Sequence, residues 1–289
     1  MIETSEILAW PLVAAQLLIF GTAAFALTAA PRSAANRDGP SESLAALWRW
    51  LAVVILVATP LRFLTVAAGM ADARIRDVFP LVPQIMRETL AGRVWAWRMA
   101  AAIVLAVAAW VPARPMRRAA IVVAVSALLL IFQSITSHAV DKGAFAMTVH
   151  FVHQAAAGLW IGALVSLLIG ASYSPANAQW LRAATSRVSA VAGWSVAVLA
   201  VTGAVRAWNA LGLRVDLLLY SLYGRTLLWK LATAASVILL GGYNRYRLVP
   251  AIGEPPARAT LIRNVAVECI LLIAVVGWSV VLANTPPPH

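Results

Sequence analysis

Three of the four histidines in this 289-residue chain lie within residues 137–162, which read SHAVDKGAFAMTVHFVHQAAAGLWIG. His150 and His153 are three positions apart, so on a helix they project from one face, and Met147 lies one turn earlier on that face. His138 precedes them by a connection short enough to bring it close to the same helix. The stretch therefore predicts a site where three imidazoles and a thioether converge.

These donor groups are those of a metal site. Imidazole with thioether suits Cu(I), whereas two or three imidazoles with water or carboxylate suit Cu(II) or Zn(II). The chain has a single cysteine, Cys269, which excludes a disulfide framework and a thiolate cluster. We therefore expect a copper ion, Cu(I) or Cu(II), to bind at a set of four side chains: His138, His150, His153 and Met147.

Other interpretations fit the same histidines. Two imidazoles from different helices can ligate a haem iron axially, although such ligands usually lie deeper in a bundle and on facing helices. Alternatively, two histidines near a helix end are simply polar residues at a water interface. Met147 taken alone fits an interfacial apolar residue better, and His289, in the C-terminal TPPPH sequence, is expected to be incidental.

The elements that must hold these residues are membrane helices. The chain is 62% hydrophobic and 12% charged, with a mean hydropathy of +0.83, whereas soluble domains carry about 25% charged residues. A span needs about 20 mostly apolar residues, and eight runs qualify, at approximately 7–29, 45–69, 94–112, 118–137, 148–171, 188–208, 222–243 and 262–284. The runs are continuous rather than alternating, which excludes a barrel. The predicted fold class is all-α, a polytopic bundle of eight transmembrane helices in membrane lipid.

The net charge of +12 does not indicate nucleic-acid binding, because the chain has no soluble domain to carry it. Instead, basic residues lie in every second loop: Arg32, Arg37, Arg49, Arg114, Arg117, Arg118, Arg182, Arg187, Arg245, Arg247, Arg258 and Arg263. By the positive-inside rule these loops face the cytoplasm. Both termini and the histidine stretch are then expected to face outward, although the outward connections 70–93 and 206–225 also contain arginines.

An internal repeat divides the chain into two halves. Residues 90–110 align without gaps on residues 222–242, with Arg98 opposite Lys230. We expect four helices in residues 1–140 and four in residues 141–289, related as a parallel 4+4 repeat about the membrane normal.

The first helix of each half agrees only weakly, with Gly21 opposite Gly162. In that register the positions of His150 and His153 are occupied by alanine and leucine in the first half. The histidine site therefore has no copy there.

Several other features bear on function. Glu268, within the last span, is expected either to form an ion pair with an arginine or to act as a relay on an ion path. Arg62 is expected either to pair with an acidic residue or to extend its side chain towards the membrane surface. Gly158 and Gly162 fit close helix packing, and residues 70–93 could cap the membrane surface. Tryptophans near span ends, among them Trp48 and Trp50, are expected at the membrane interfaces. No nucleophile with a base, phosphate loop or dinucleotide turn is present, so the protein is not expected to be an enzyme.

Several segments resemble the copper resistance D proteins of bacterial inner membranes. They are SHA at Ser137, HQAAAGLWIGAL from His153, SRVSAVAGWSVAVLAVTGAVRAW from Ser186, LYGRTLLWKLA from Leu222 and GGYNRYRLVP from Gly241. Together they cover most of the last 150 residues, and the first half is similar to the family's more variable N-terminal region. In the family pattern the matching histidines are His138 and His153, whereas His150 is added on geometry alone.

The resemblance implies a plasma-membrane protein of copper homeostasis with its termini in the periplasm. Family members are taken to move copper inward from the periplasm, often beside a small periplasmic copper carrier, which here would be a separate partner. The residues leave two alternatives open: a haem-binding membrane redox protein, or a partner that delivers copper to another membrane enzyme without transporting it.

Overall fold

The computed structural model describes residues 4–28, 39–137, 140–173, 178–212 and 214–286, and these residues contain no strand. Ten α-helices follow one another along the described chain: α1 Thr4–Thr28, α2 Gly39–Met70, α3 Val82–Glu88, α4 Leu90–Trp110, α5 Pro115–Ile135, α6 Gly143–Tyr173, α7 Ala178–Leu211, α8 Val215–Tyr220, α9 Leu222–Tyr243 and α10 Pro255–Asn284. Short 3-10 turns lie at Ile75–Asp77, Phe79–Leu81 and Val140–Lys142, and a π-helical turn at Asn244–Leu248 follows α9.

Within the described residues, eight helices are long and apolar enough to cross a membrane: α1, α2, α4, α5, α6, α7, α9 and α10. The predicted all-α class with eight spans is confirmed. Some helices extend beyond the apolar runs: α6 begins at Gly143 rather than near residue 148, and α7 at Ala178 rather than near residue 188. Hydropathy detects the lipid-facing length alone, whereas a helix satisfies its own backbone groups and continues past that length.

The central helix α6 packs against α1, α5, α7 and α10. At its crossing with α1 the two backbones touch. A Cβ built on Gly21 would lie 1.7 Å from the carbonyl oxygen of Gly158, and one built on Gly162 would lie 2.1 Å from the carbonyl carbon of Gly21. Because any side chain would separate the helices here, the predicted packing role of Gly158 and Gly162 is confirmed, with Gly21 as their partner.

The helices α4 and α9 begin in the same way. The hydroxyl of Thr89 accepts a hydrogen bond of 2.8 Å from the backbone N–H of Gly92, and that of Ser221 accepts one of 2.9 Å from Gly224. Each is a helix N-cap that satisfies an otherwise unpaired donor. A Cβ on either glycine would lie 2.1 or 2.3 Å from a backbone carbonyl oxygen of α3 or α8, so the glycines let a short helix lie against each start.

The segment between α2 and α4 folds back on these helices. Val78 is fully buried in a cluster with Phe63 and Trp95, so this segment packs against the bundle. One of the tryptophans expected at the membrane interfaces faces the interior of the bundle. Trp48 is buried, and its Nε1 donates to the hydroxyl of Thr22 at 2.9 Å, whereas Trp50 is exposed. A ring N–H that finds an acceptor inside the bundle does not need the membrane interface.

Candidate metal centre

The first turns of α6 carry three of the four predicted ligands. The chain passes through the turn Val140–Lys142 to Gly143, whose φ of +84° lies in the left-handed region that favours glycine. The helix that starts there contains Met147, His150 and His153 on one face, as predicted, and all three side chains are half-buried. The fourth predicted ligand, His138, lies outside the described residues, as does His289.

The imidazole of His153 is held by α7. Its Nδ1 lies 2.8 Å from the hydroxyl oxygen of Thr202, and that hydroxyl donates its own hydrogen to the carbonyl oxygen of Val198 at 2.6 Å. When that hydrogen is donated to Val198, Nδ1 of His153 is the donor in the first bond, since a hydroxyl has only one hydrogen. In this arrangement the lone pair of Nε2 is left to bind a metal.

A second hydroxyl fixes His150 in the same manner. Its Nδ1 lies 2.9 Å from the hydroxyl oxygen of Ser137, just beyond the end of α5, and this hydroxyl donates to the carbonyl oxygen of Ser134 at 2.8 Å. With the hydroxyl hydrogen donated to Ser134, His150 also donates from Nδ1 and presents the lone pair of Nε2. Two neutral imidazoles on one helix face, each oriented by a hydroxyl from a neighbouring segment, form the described part of the predicted centre.

The charges around the two histidines are positive. Arg206 and Lys230 both interact electrostatically with His150 and with His153. Arg206 lies one turn after Thr202 on the same face of α7, and Lys230 lies on α9. The ring of His153 lies close to α7, with its Cε1 3.6 Å from the position of a Cβ on Gly203.

The described residues supply only part of a closed metal cage. Among them, no group of three or more histidine, cysteine, aspartate or glutamate side chains could hold a metal ion. What they offer is two Nε2 atoms with the thioether of Met147 on the same helix face. This soft and borderline donor set, with no carboxylate in it, suits Cu(I) better than a hard cation.

Sequence reasoning missed the residues that orient and surround the histidines. Thr202 and Ser137 were not candidates, Arg206 was counted only among the arginines of the connection 206–225, and Lys230 was named only as the residue aligned with Arg98. The available signal was the spacing of Thr202 and Arg206, since a hydroxyl and a cation one turn apart are costly in an apolar helix. Which helix packs against this face of α7 could be learned only from the tertiary structure.

A second polar group lies at the other end of α9, where the π-helical turn begins. The amide of Asn244 donates to Oε1 of the buried Glu268, and the amide of Asn264 donates to Oδ1 of Asn244 at 2.8 Å. The expected arginine partner is therefore replaced by a chain of amides. Arg62 likewise donates to an amide, reaching Oδ1 of Asn284 at 3.2 Å.

Comparison with known proteins covers both halves of the chain. A profile described as Copper resistance protein D matches residues 182–282, and one described as Copper resistance protein D-like, N-terminal domain, matches residues 4–147. The chain belongs to the copper resistance protein D family. The predicted resemblance is thus confirmed, and with its eight apolar helices the chain is a multi-pass membrane protein of this family.

Alignments with two curated relatives extend over most of the chain. Copper resistance protein D of Pseudomonas syringae pv. tomato is 26% identical over 284 residues, which is 91% of each chain. Inner membrane protein YebZ of Escherichia coli (strain K12) is 25% identical over 254 residues, which is 84% of this chain and 83% of the relative. No solved structure matches this member of the copper resistance protein D family.

Proposed function

We propose that this protein captures copper at the periplasmic side of a bacterial inner membrane and moves it into the cytoplasm. The ligands are Nε2 of His150 and Nε2 of His153, with His138 and Met147 completing the set. In this role the protein is a transporter for copper homeostasis and has no catalytic residues.

The observation that carries the proposal is the orientation of the two imidazoles. Both Nδ1 atoms are committed to hydroxyl oxygens that already donate to backbone carbonyls. Outer partners of this kind are typical of metal-binding histidines, because they fix the tautomer and the ring plane. Membership of the copper resistance protein D family, and relatives named for copper resistance and for the inner membrane, point to copper as the metal.

The proposed route depends on orientation and on the relation between the halves. We place both termini and the histidine centre in the periplasm, on the distribution of arginines in the loops. We divide the chain into residues 1–140 and 141–289 as a parallel repeat. The matching caps of α4 and α9 support this repeat, as does the reciprocal contact of Gly21 and Gly162, because paired contacts of equivalent residues are typical of a two-fold axis.

Copper would arrive on a separate periplasmic carrier protein. Two other functions compete with transport at the same histidines: a haem-binding redox protein, and a partner that passes copper to another membrane enzyme. Since His150 and His153 share one face of α6, they could not occupy opposite axial positions of one haem iron, and a haem would need His138 as its second ligand.

Copper binding by purified protein tests the proposal. The wild type should bind about one copper ion per chain, measured by elemental analysis and by competition with a Cu(I) chelator. The variants His150→Ala and His153→Ala should each lose at least tenfold in affinity, because each removes one Nε2 ligand. His289→Ala is the matched control, since it removes a histidine outside the predicted centre.

Uptake into sealed right-side-out vesicles then tests transport and orientation. Copper added outside should enter wild-type vesicles and not those of the two histidine variants, and an impermeant chelator should reach the bound ion only in this orientation. Unchanged binding in both variants would refute the site. Binding without uptake would favour a delivery partner, and a Soret band that His153→Ala abolishes would favour haem.

A further inference from the structure

A buried carboxyl lies inside the last span, and the proposed copper site does not use it. Glu268 is 4% exposed and lies about 20 Å along α10 from Pro255, well inside the helix. Its neighbours on α10, Val265, Cys269 and Leu272, are buried in an apolar cluster. A carboxylate is costly in such a place unless a cation pairs with it, and otherwise the group takes up a proton.

Within the described residues, no cation pairs with this carboxyl. Ion pairs in this part of the chain join Arg76 to Asp77 and Arg214 to Asp216, both on exposed surface. The carboxyl of Glu268 is bonded to an amide instead. Because an amide has no net charge, it cannot neutralise a carboxylate.

The elements packed against α10 are α1, α6, α9 and the π-helical turn, and within the described residues none brings a cation within ion-pair distance of Glu268. The helices α1 and α6 contain no lysine or arginine. Lys230 lies about 16 Å along α9 from Gly241, the residue that faces Glu268. The other charged or titratable side chains described on α6, α9, α10 and the turn, apart from the thiol of Cys269, are exposed or lie towards one end of their helix: His150, His153, Tyr223, Arg225, Tyr243, Arg245, Tyr246, Arg247, Arg258 and Arg263.

Two asparagines hold the carboxyl through one of its oxygens. The amide of Asn244, itself 4% exposed, donates to Oε1 of Glu268, and the amide of the half-buried Asn264 donates to Oδ1 of Asn244 at 2.8 Å. A donor at Oε1 suits both forms of the group, because the carbonyl oxygen of the acid and the oxygens of the carboxylate all accept hydrogen bonds. A proton can therefore bind and leave at Oε2 while the carboxyl stays in place.

The second oxygen faces a position that has no side chain. Within the described residues, Oε2 of Glu268 makes no hydrogen bond, and it lies 3.3 Å from the position of a Cβ on Gly241. The π-helical turn that begins at Asn244 is closed by a bond of 2.9 Å from the N–H of Val249 to the carbonyl oxygen of Asn244. Turns of this kind inside α-helical segments are frequent at functional sites.

We infer that Glu268 binds an exchangeable proton at Oε2 within the membrane, and that this proton moves across the membrane when copper does. The copper part rests on the proposed function, whereas the proton site does not. On release, the O–H bond of the acid breaks, the proton passes to water, and the carboxylate stays bonded to Asn244. The geometry favours a proton over a metal ion, because a hard cation needs several oxygen ligands and only Oε2 is left for a ligand here.

Infrared spectroscopy of copper-free protein is the first test, and it does not depend on transport. At neutral pH the wild type should show the C=O stretch of a protonated carboxyl, and heavy water should shift this band because O–H becomes O–D. Glu268→Gln should remove the band while keeping an acceptor for Asn244. Glu254→Gln, which removes an exposed carboxyl at the start of α10, is the matched control and should leave the band unchanged.

A pair of glycine variants tests where the proton binds. Gly241→Ala should shift the band or slow its exchange in heavy water several-fold, because the new Cβ would lie against Oε2 of Glu268. Gly242→Ala is the control, since a Cβ there meets nothing within 4 Å. Glu268→Asp keeps a carboxyl and should retain a band. Equal spectra of wild type and Glu268→Gln would overturn the inference, and so would a band that heavy water does not shift.

Right-side-out vesicles that hold a pH-sensitive dye give the second test, with the membrane potential clamped by a potassium ionophore. Copper entry into wild-type vesicles should change the internal pH. Glu268→Gln should abolish this change without altering the copper affinity of the purified protein. An exchangeable infrared band in a protein that binds and moves no copper would support the proton site and refute the proposed function. Copper entry into wild-type vesicles at constant internal pH would refute the coupling and leave the proposed function standing.

Discussion

Two cations at aligned positions, one on α4 and one on α9, differ in their burial and in their neighbours. Arg98 of α4 is 3% exposed, its guanidinium lies 4.0 Å from the centre of the Trp95 ring, and it donates to the hydroxyl of Thr136 at 3.0 Å. Lys230, at the aligned position of α9, is half-buried and meets His150 and His153 instead. The cation of α4 has an aromatic ring and a hydroxyl as neighbours, although its Nε has no hydrogen-bond partner among the described residues, whereas the cation of α9 interacts with imidazoles that can bind a ligand.

The difference shows how similar helices can serve separate purposes. Both α4 and α9 begin with a hydroxyl cap and a glycine that contacts a short helix, and each helix carries its cation at the same number of residues from its start. A stacked and hydrogen-bonded arginine stabilises packing. A lysine with no bonded partner among the described residues is available for function.

The largest expected effect concerns the crossing that joins the halves. Gly21→Ala should lower the stability of the whole bundle by more than the about 1–3 kcal/mol typical of overpacking, because the new Cβ would lie on the backbone of Gly158. Gly193→Ala is the control, since a Cβ there meets nothing within 4 Å. Unfolding in a detergent titration measures both. Equal stability of the two variants would mean that the halves do not depend on this contact.

A pair of threonine variants tests the contrast between the cations most directly. Thr202→Val should reduce copper affinity about 10–100-fold, because His153 loses the hydroxyl that fixes its tautomer. Thr136→Val should leave copper affinity unchanged but lower the free energy of unfolding by about 1–3 kcal/mol, since Arg98 loses its acceptor. Chelator competition and unfolding titrations distinguish the two effects. The contrast fails if Thr136→Val weakens copper binding as much as Thr202→Val does.

The smallest effect is expected in the exposed segment before α9. Arg214 donates to Asp216 at 2.8 Å and holds the pKa of this carboxyl below its ordinary value. The pair therefore contributes at neutral pH and loses its contribution as the pH falls through the lowered pKa. Because both side chains are exposed, Arg214→Gln should leave stability unchanged at pH 7 and return the pKa of Asp216 towards about 3.9. Carbon-13 NMR of the carboxyl checks this, and an unmoved pKa would contradict it.

Several parts of the candidate site could be read from local spacing. Met147, His150 and His153 lie on one helix face because the spacing of three repeats at nearly one turn, whatever the rest of the chain does. The sequence could not identify the hydroxyl of Thr202 as the partner of His153, since the two residues are 49 positions apart and meet only when α6 packs against α7.

Composition and periodicity by themselves determined the eight membrane helices, because a chain in lipid must satisfy its backbone within each segment and leaves few alternatives. They also determined the single cluster of histidines and the close-packing glycines. Only the tertiary structure decided which Nε2 atoms are free, which cations surround them and why Glu268 bonds to amides rather than to an arginine. These depend on contacts between distant helices, and side-chain chemistry along one helix cannot specify the face that its neighbour presents.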